Sequence, residues 1–219
     1  RGLVDVYKRQ DEWYSLVKAI VLKEKDPSIL IHLITVGGAD TEPIIRKALA
    51  LGGDEAIRVN NTSNDSMVVA QEIAAIAKEG AYDLILTGKE TIDYNSASIG
   101  SMLCALLDTT FIPNAIALEV NGTTAIVKRE IEGGEESCET SLPIILSCQK
   151  GMAEQRIPNM RGIMAARTKP LKVVEASIHN ATTSIKKFDT PPAKSGVKLV
   201  EAGNMDEMVR LLKEEAKVI

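Results

Sequence analysis

The sequence predicts an α/β protein built on a parallel sheet with helices on both faces, and three observations predict it. Apolar runs recur along the first half, ILIHLITV at residues 29–36 and LIL at 84–86, continuous rather than alternating, as in strands buried on both sides. Segments whose apolar residues fall at helical spacing lie between them. Glycine pairs, prolines and capping residues mark the junctions. Strands alternating with helices of this length require right-handed crossovers, and therefore a parallel sheet covered by helices.

The first ten residues, RGLVDVYKRQ, carry no clear period and run straight into an amphipathic segment, so they read as non-native or misassembled. From 12 to 25, Trp13, Leu16, Val17, Ile20 and Val21 share helical spacing. The run at 29–36 is a strand followed by Gly37-Gly38. Asp40 or Thr41, with Pro43, then opens a helix through Leu51 that Gly52-Gly53 ends. Residues 55–60 form a short strand, and Asp65 or Ser66 starts a helix with Val69, Ile73 and Ile76 on one face. A strand at 83–87 and a helix from Ser96 to Leu107 follow. Beyond them the pattern changes to hairpins: 115–120, 123–131 and 135–148 are strand-like, separated by Asn121-Gly122 and Gly133-Gly134. An antiparallel ribbon therefore extends the sheet. A loop at 151–159, a short helix near 160–167, a polar connection with Pro170, Pro191 and Pro192, and a final helix at 206–216 complete the chain. The segment 168–195 is too long and too interrupted for an internal connection, so the α/β domain is placed at 11–167 and 168–219 is expected to be a C-terminal arm lying on another subunit.

Composition excludes several classes. The chain has 219 residues, 45% hydrophobic and 26% charged, which suits an ordinary globular domain with a sizeable core. A formal net charge of -4 gives no reason to expect nucleic acid. Three cysteines without a CxxC pair (Cys104, Cys138, Cys148) and two histidines (His32, His179) argue against a disulfide framework and a metal site. No apolar run approaches the roughly 20 residues that span a bilayer, and no secretory signal is visible, so a cytoplasmic protein without membrane insertion is expected. No catalytic constellation is legible: a G-x-S-x-G elbow and a Walker A motif are absent, and His32 reads as a core histidine within a strand.

The stretch YDLILTGKETIDYNSASIGSMLCALL, residues 82–107, organises the functional reading. It is a strand, a polar loop and a helix, and parallel sheets bind ligands at the carboxyl ends of their strands. Asp93, Asn95, Ser96 and Ser98 crowd the start of the helix, where unpaired N–H groups and the helix dipole favour an anion such as phosphate. The same residues also suit an ordinary N-cap with no ligand.

Two places together carry a resemblance. One is Gly88-Lys89-Glu90-Thr91-Ile92-Asp93 with Gly100 following. The other is Arg129-Glu130-Ile131-Glu132-Gly133-Gly134, then Leu142-Pro143, then Met152-Ala153-Glu154-Gln155-Arg156-Ile157-Pro158-Asn159 and Gly162-Ile163-Met164. In this order and spacing they resemble the beta subunit of electron transfer flavoprotein, from about Glu12 to Leu171. The resemblance implies a nucleotide-alpha-hydrolase-like fold and an electron carrier subunit rather than an enzyme. The protein would pair with an alpha subunit, share its FAD, accept electrons from dehydrogenases and pass them towards the respiratory chain. It further implies an adenine nucleotide site at Val36-Gly37, Gly88, Asp93, Asn95, Ser96, Ala97, Ser98 and Ile99. A loop for docking a partner dehydrogenase matches Met152, Ala153, Glu154, Gln155 and Arg156, with Met152 as its apolar knob.

Departures from the family pattern shape these expectations. RGLVDVYKRQ stands where the family has its first strand, so one strand and part of the nucleotide site are expected to be missing. Ala97-Ser98-Ile99 stands where AMP-binding members have Asn-Gln-Thr, and smaller residues there resemble electron-bifurcating members, so the beta site is expected to hold AMP or a second FAD. Gln155 replaces the proline of the docking loop, and Ala165 and Ala166 replace lysines, so the donor is an acyl-CoA dehydrogenase or another dehydrogenase. An ATP-cleaving enzyme of the related hydrolase fold and a free-standing adenine-nucleotide-binding module are the competing readings.

Overall fold

The computed structural model describes residues 11–91, 95–178, 180–193 and 196–219. The first helix, α1 (Asp11–Lys25), buries Trp13, Leu16, Val17 and Ile20 on one face and carries Lys23 and Lys25 in its last turn, where they complement the dipole. Strand β1 (His32–Val36) follows, then a 3-10 turn (Ala39–Thr41) and α2 (Glu42–Leu51), which has Pro43 in its first turn and ends at Gly52. Next come β2 (Glu55–Asn60), α3 (Ser66–Gly80) with Asp65 as N-cap, β3 (Leu84–Gly88) and α4 (Ile99–Leu107). The ribbon is β4 (Thr110–Asn121), β5 (Thr124–Ile131) and β6 (Gly134–Ser141), and β7 (Ile144–Cys148) leads to α5 (Met160–Ala166) and β8 (Leu171–Glu175).

The described strands form two sheets where one was expected. In the order β1-β2-β8 all pairings are parallel; in β3-β7-β4-β5-β6 the first three strands are parallel and the last three antiparallel. Strand β7 is the pivot of the larger sheet. Its Ile144 and Leu146 pack into a core with Leu118, Val127 and α1's Tyr14 and Leu22, while Ile145 faces Ala70 and Ala74 of α3 and Leu103 of α4. Alternation along one strand thus puts helices on both faces. The hairpin turns lie where glycine supplies a positive φ, at Gly122 (61°) and Gly133 (83°).

Three boundaries differ from the sequence reading. The strand expected at 135–148 is two strands: it breaks at Leu142-Pro143, and its second part leaves the ribbon to run parallel between β3 and β4 as a fully buried apolar run. Residues 168–184, expected in the arm, are tied into the body. Strand β8 pairs with β2, while Ser177 and Ile178 donate to the buried Glu72, and Thr182 and Thr183 donate to the buried Asp65. Helix α4 starts at Ile99 rather than Ser96, because Asn95 and Ala97 both hold a left-handed φ of 49°.

One compact unit ends at Ser184 and a second comprises Ile185–Ile219. The second unit contains α6 (Met205–Arg210), capped by the Asn204 side chain and continued by a π turn (Leu211–Glu215); Arg210 pairs with Glu207 at 2.7 Å and Glu214 at 3.0 Å. The segment RGLVDVYKRQ lies outside the described residues.

Candidate functional site

A cavity of about 1010 Å³ lies between β1 and β3. Those two strands each have one paired neighbour, β2 and β7, and both line the cavity. Helix α1 contributes Ser15 and Leu16 to one wall; Ser66, Val69 and Ile73 of α3 form another. The Ser15 hydroxyl donates to the Thr87 carbonyl at 2.7 Å, which fastens α1 to the end of β3. A Cβ at Gly88 would stand 2.9 Å from the Glu12 backbone nitrogen, so glycine permits that approach.

The two ends of the cavity differ in chemistry. At the amino end of β1, His32 Nδ1 and the Tyr82 hydroxyl lie 2.9 Å apart with the rings edge to face, and burial pushes the Tyr82 phenol up. His32 therefore has a hydrogen-bond partner fifty residues away in sequence, which spacing alone does not disclose. The carboxyl end is polar: Thr87, Gly88 and Lys89 share the lining with Ser63 and Asn64 of the loop after β2, Ser66 at the start of α3, and Ser96 and Ser98 ahead of α4. Ser96 Oγ lies 3.5 Å from Ser66 Oγ and accepts from Ser98 Oγ at 3.3 Å.

The two helix N-termini at this end are not equivalent. Asp65 already satisfies α3, accepting from the N–H groups of Met67 at 2.8 Å and Val68 at 3.1 Å. That helix start is occupied by a carboxylate of its own. Helix α4 has Ser98 at its N-cap position, whose side chain makes no cap hydrogen bond, so among the described residues no side chain caps its first-turn N–H groups. A nine-residue helix with no side-chain cap among the described residues, the hydroxyls of Ser66, Ser96 and Ser98, and Lys89 make a donor set suited to phosphate. A phosphate group fits these residues.

Of the site residues expected from sequence, Val36, Gly88, Ser96, Ala97, Ser98 and Ile99 line the cavity. Gly37 stands just past the end of β1, its carbonyl held by the buried Arg58 at 3.0 Å, and is not part of the lining. Asn95 is exposed and outside the lining, and Asp93 lies outside the described residues. Lys89, Ser63, Asn64 and Ser66 were missed. The signal was present, since the loop at 61–65 also follows the carboxyl end of a parallel strand.

In the docking loop the structure corrects one assignment. Met152 is not a surface knob: it is 5% exposed and packs in the core with Leu118, Leu146 and Cys148. The apolar side chain that does stand out is Ile157, 81% exposed. Ala153 is half-buried, Glu154 and Gln155 are exposed, and Arg156 forms a forked pair with Glu24 of α1 at 2.5 and 3.0 Å. That pair lowers the Glu24 carboxyl below its ordinary range. Among the described residues no group of three His, Cys, Asp or Glu could hold a metal, and no helix is long and apolar enough to cross a membrane.

The family model for the electron transfer flavoprotein domain matches residues 10–179. The chain is 36% identical to the electron transfer flavoprotein subunit beta of Bacillus subtilis (strain 168), covering 94% of this chain and 85% of that one. It is 34% identical to the subunit beta of Syntrophomonas wolfei, over 83% of this chain and 73% of that one. It is also 28% identical to the caffeyl-CoA reductase-Etf complex subunit CarD of Acetobacterium woodii, over 94% and 84%. With more than three quarters of its length inside the family model and two beta subunits more than 30% identical over most of both chains, the chain belongs to the electron transfer flavoprotein family, as a beta subunit.

Proposed function

We propose that this chain is the beta half of a heterodimer that shares one FAD with an alpha subunit and moves electrons from a dehydrogenase towards a respiratory acceptor. The observation that carries the reading is the uncapped start of α4, set with Ser66, Ser96, Ser98 and Lys89 at the carboxyl end of β3. Bound flavin supplies the one- and two-electron chemistry. In this chain the hydroxyls of Ser66, Ser96 and Ser98 and the α4 N–H groups would hold a phosphate. The second unit, with Phe188, Val197 and Leu199 exposed, supplies apolar surface for the alpha subunit.

A bifurcating role, with a second FAD at the beta site, is the alternative. It draws on the small side chains at Ala97 and Ser98. Co-expression with a candidate alpha subunit tests the carrier reading. A co-purifying yellow complex, bleached when an acyl-CoA dehydrogenase and its substrate are added, supports it. A chain that purifies alone as a flavin-free homodimer refutes it in favour of a nucleotide-binding module.

A further inference from the structure

We infer that the segment 177–183 is a strap that positions the loop after β2, so that a phosphate-bearing ligand in the cavity and the strap stabilise each other; the inference rests on the reading above that the start of α4 holds a phosphate. The loop at 61–65 has two sides. One side gives Ser63 and Asn64 to the cavity, with Ser66 following at the start of α3. The other side is bonded to the strap at both of its ends. At the first end, Asn61 Nδ2 donates to the Ile178 carbonyl at 2.9 Å and to Glu72 Oε1 at 3.2 Å. That same carboxylate oxygen accepts from the N–H groups of Ser177 and Ile178 at 2.9 and 2.8 Å. At the second end, Asp65 Oδ2 accepts from the N–H and hydroxyl groups of both Thr182 and Thr183.

Bonds inside the loop join the two ends. Asn61 Oδ1 accepts from the Ser63 N–H at 3.0 Å, and Ser63 Oγ accepts from the Asp65 N–H at 3.2 Å. The path from Ile178 through Asn61, Ser63 and Asp65 to Thr182 and Thr183 is therefore continuous, and it runs through a residue that lines the cavity. Since the Ser63 oxygen accepts from Asp65, its hydroxyl proton is what it offers a ligand. Asp65 also sets the first turn of α3 through Met67 and Val68, which fixes where Ser66 stands. The strap is the movable member. None of its described residues is buried, so polar bonds rather than packing hold it, and such a segment opens at low cost. A ligand that binds the pinned loop better shifts the strap towards its closed state, and the coupling is reciprocal. Thr182 and Thr183 are thus positioning residues for a site they do not line.

The test uses the complex co-purified with its alpha subunit and exchanged into nucleotide-free buffer, with AMP as the probe and adenosine as its phosphate-free control. Wild-type amide exchange at Thr182 and Thr183, read by mass spectrometry, should slow about tenfold when AMP saturates the complex, and stay unchanged with adenosine. Thr182→Val with Thr183→Val removes both hydroxyls and should raise the AMP Kd about tenfold. Thr182→Ser with Thr183→Ser keeps them and should stay within about twofold of wild type. A merely structural strap would lower the Tm of the valine variant and leave its Kd alone. An unchanged AMP Kd in the valine variant therefore overturns the inference alone, and so does wild-type exchange that ignores bound AMP, a readout that needs no variant to fold. Exchange slowed equally by adenosine also overturns it, because the coupling then bypasses the hydroxyls around the phosphate. A wild type that binds neither AMP nor inorganic phosphate refutes the phosphate site, and the inference with it.

Discussion

Replacing Asp65 with alanine removes one carboxylate from two tasks. Its Oδ1 caps α3 through Met67 and Val68; its Oδ2 accepts from the N–H and hydroxyl of Thr182, both at 2.9 Å, and of Thr183, at 2.5 and 2.7 Å. The residue is 3% exposed, whereas the two threonines are exposed and rehydrate when released. Losing the cap costs about 1 kcal/mol. Losing the strap, with most of its donors regained by water, costs on the order of one charge-assisted bond, about 2 kcal/mol. The sum of about 3 kcal/mol corresponds to a fall in Tm of roughly 6–12 °C for a chain of this length. The roughly 2 kcal/mol share of the threonine contacts also speeds local amide exchange at Thr182 and Thr183 about thirtyfold, a factor of ten for each 1.4 kcal/mol.

The pH dependence has a definite sign. The Thr183 hydroxyl, against the opposing pull of burial and with help from the Val68 N–H and Thr182, holds the Asp65 carboxyl well below the usual range. For Glu72, burial pulls upward, but the Ile178 N–H, the Ser177 hydroxyl and Asn61 outweigh it and lower the carboxyl. A depressed folded pKa contributes stability that is present above the ordinary carboxylate range, about 4, and is lost progressively as pH falls from there towards the lower folded pKa. Hydrogen exchange read by mass spectrometry, on protein purified with its partner, should speed up at Thr182 and Thr183 progressively as pH falls below about 4, and be faster already at pH 7 in Asp65→Ala. Unchanged exchange at Thr182 and Thr183 in the variant, with a Tm within about 2 °C of wild type, refutes the reasoning.

Three further substitutions separate the roles of neighbouring groups. Ser98→Asp should keep or raise thermal stability, because aspartate is a good N-cap, yet strip the bound nucleotide by repelling its phosphate; nucleotide content after denaturation reads this directly. Gly162→Ala should destabilise by about 2 kcal/mol or more, since the added methyl meets a carbonyl rather than a movable side chain, and a thermal melt measures it. Met152→Ala should behave as a core truncation, costing about 2–4 kcal/mol in denaturant unfolding, while the half-saturating donor concentration stays that of wild type.

The parts of the fold legible in the sequence are those that local chemistry decides. Trp13, Leu16, Val17 and Ile20 announce α1 by period, and Gly122 and Gly133 announce hairpins because their turns need a positive φ. What stayed hidden depends on partners distant in sequence. The run IILSC reads equally as the end of a ribbon strand or as a buried central one, and only its pairing with Leu84–Gly88 on one side and Thr110–Asn121 on the other decides. Strand β8 is short, half-exposed and rich in charge, so its pattern resembles a connector. That Ser96 to Ile99 line the carboxyl end of the sheet was legible because polar residues gather after an apolar strand. Ser63 to Ser66 escaped notice because Asp65 already explained them as a cap. Met152 misled in the opposite direction: a loop position suggested exposure, but tertiary packing buries it, and the exposed apolar residues lie five and more positions further on.

The measurement that tests the central claim most directly is a count of cofactors. The complex of this chain with its alpha subunit is purified, denatured, and its released FAD and AMP are quantified against protein. One FAD with one AMP for each heterodimer is the expected result for a simple carrier, and two FAD for a bifurcating one. Either outcome requires an adenine nucleotide in the beta site, and Ser98→Asp should remove it selectively. A stable complex that releases a single FAD and no second nucleotide contradicts the assignment of the α4 terminus, and one that releases neither contradicts the carrier role.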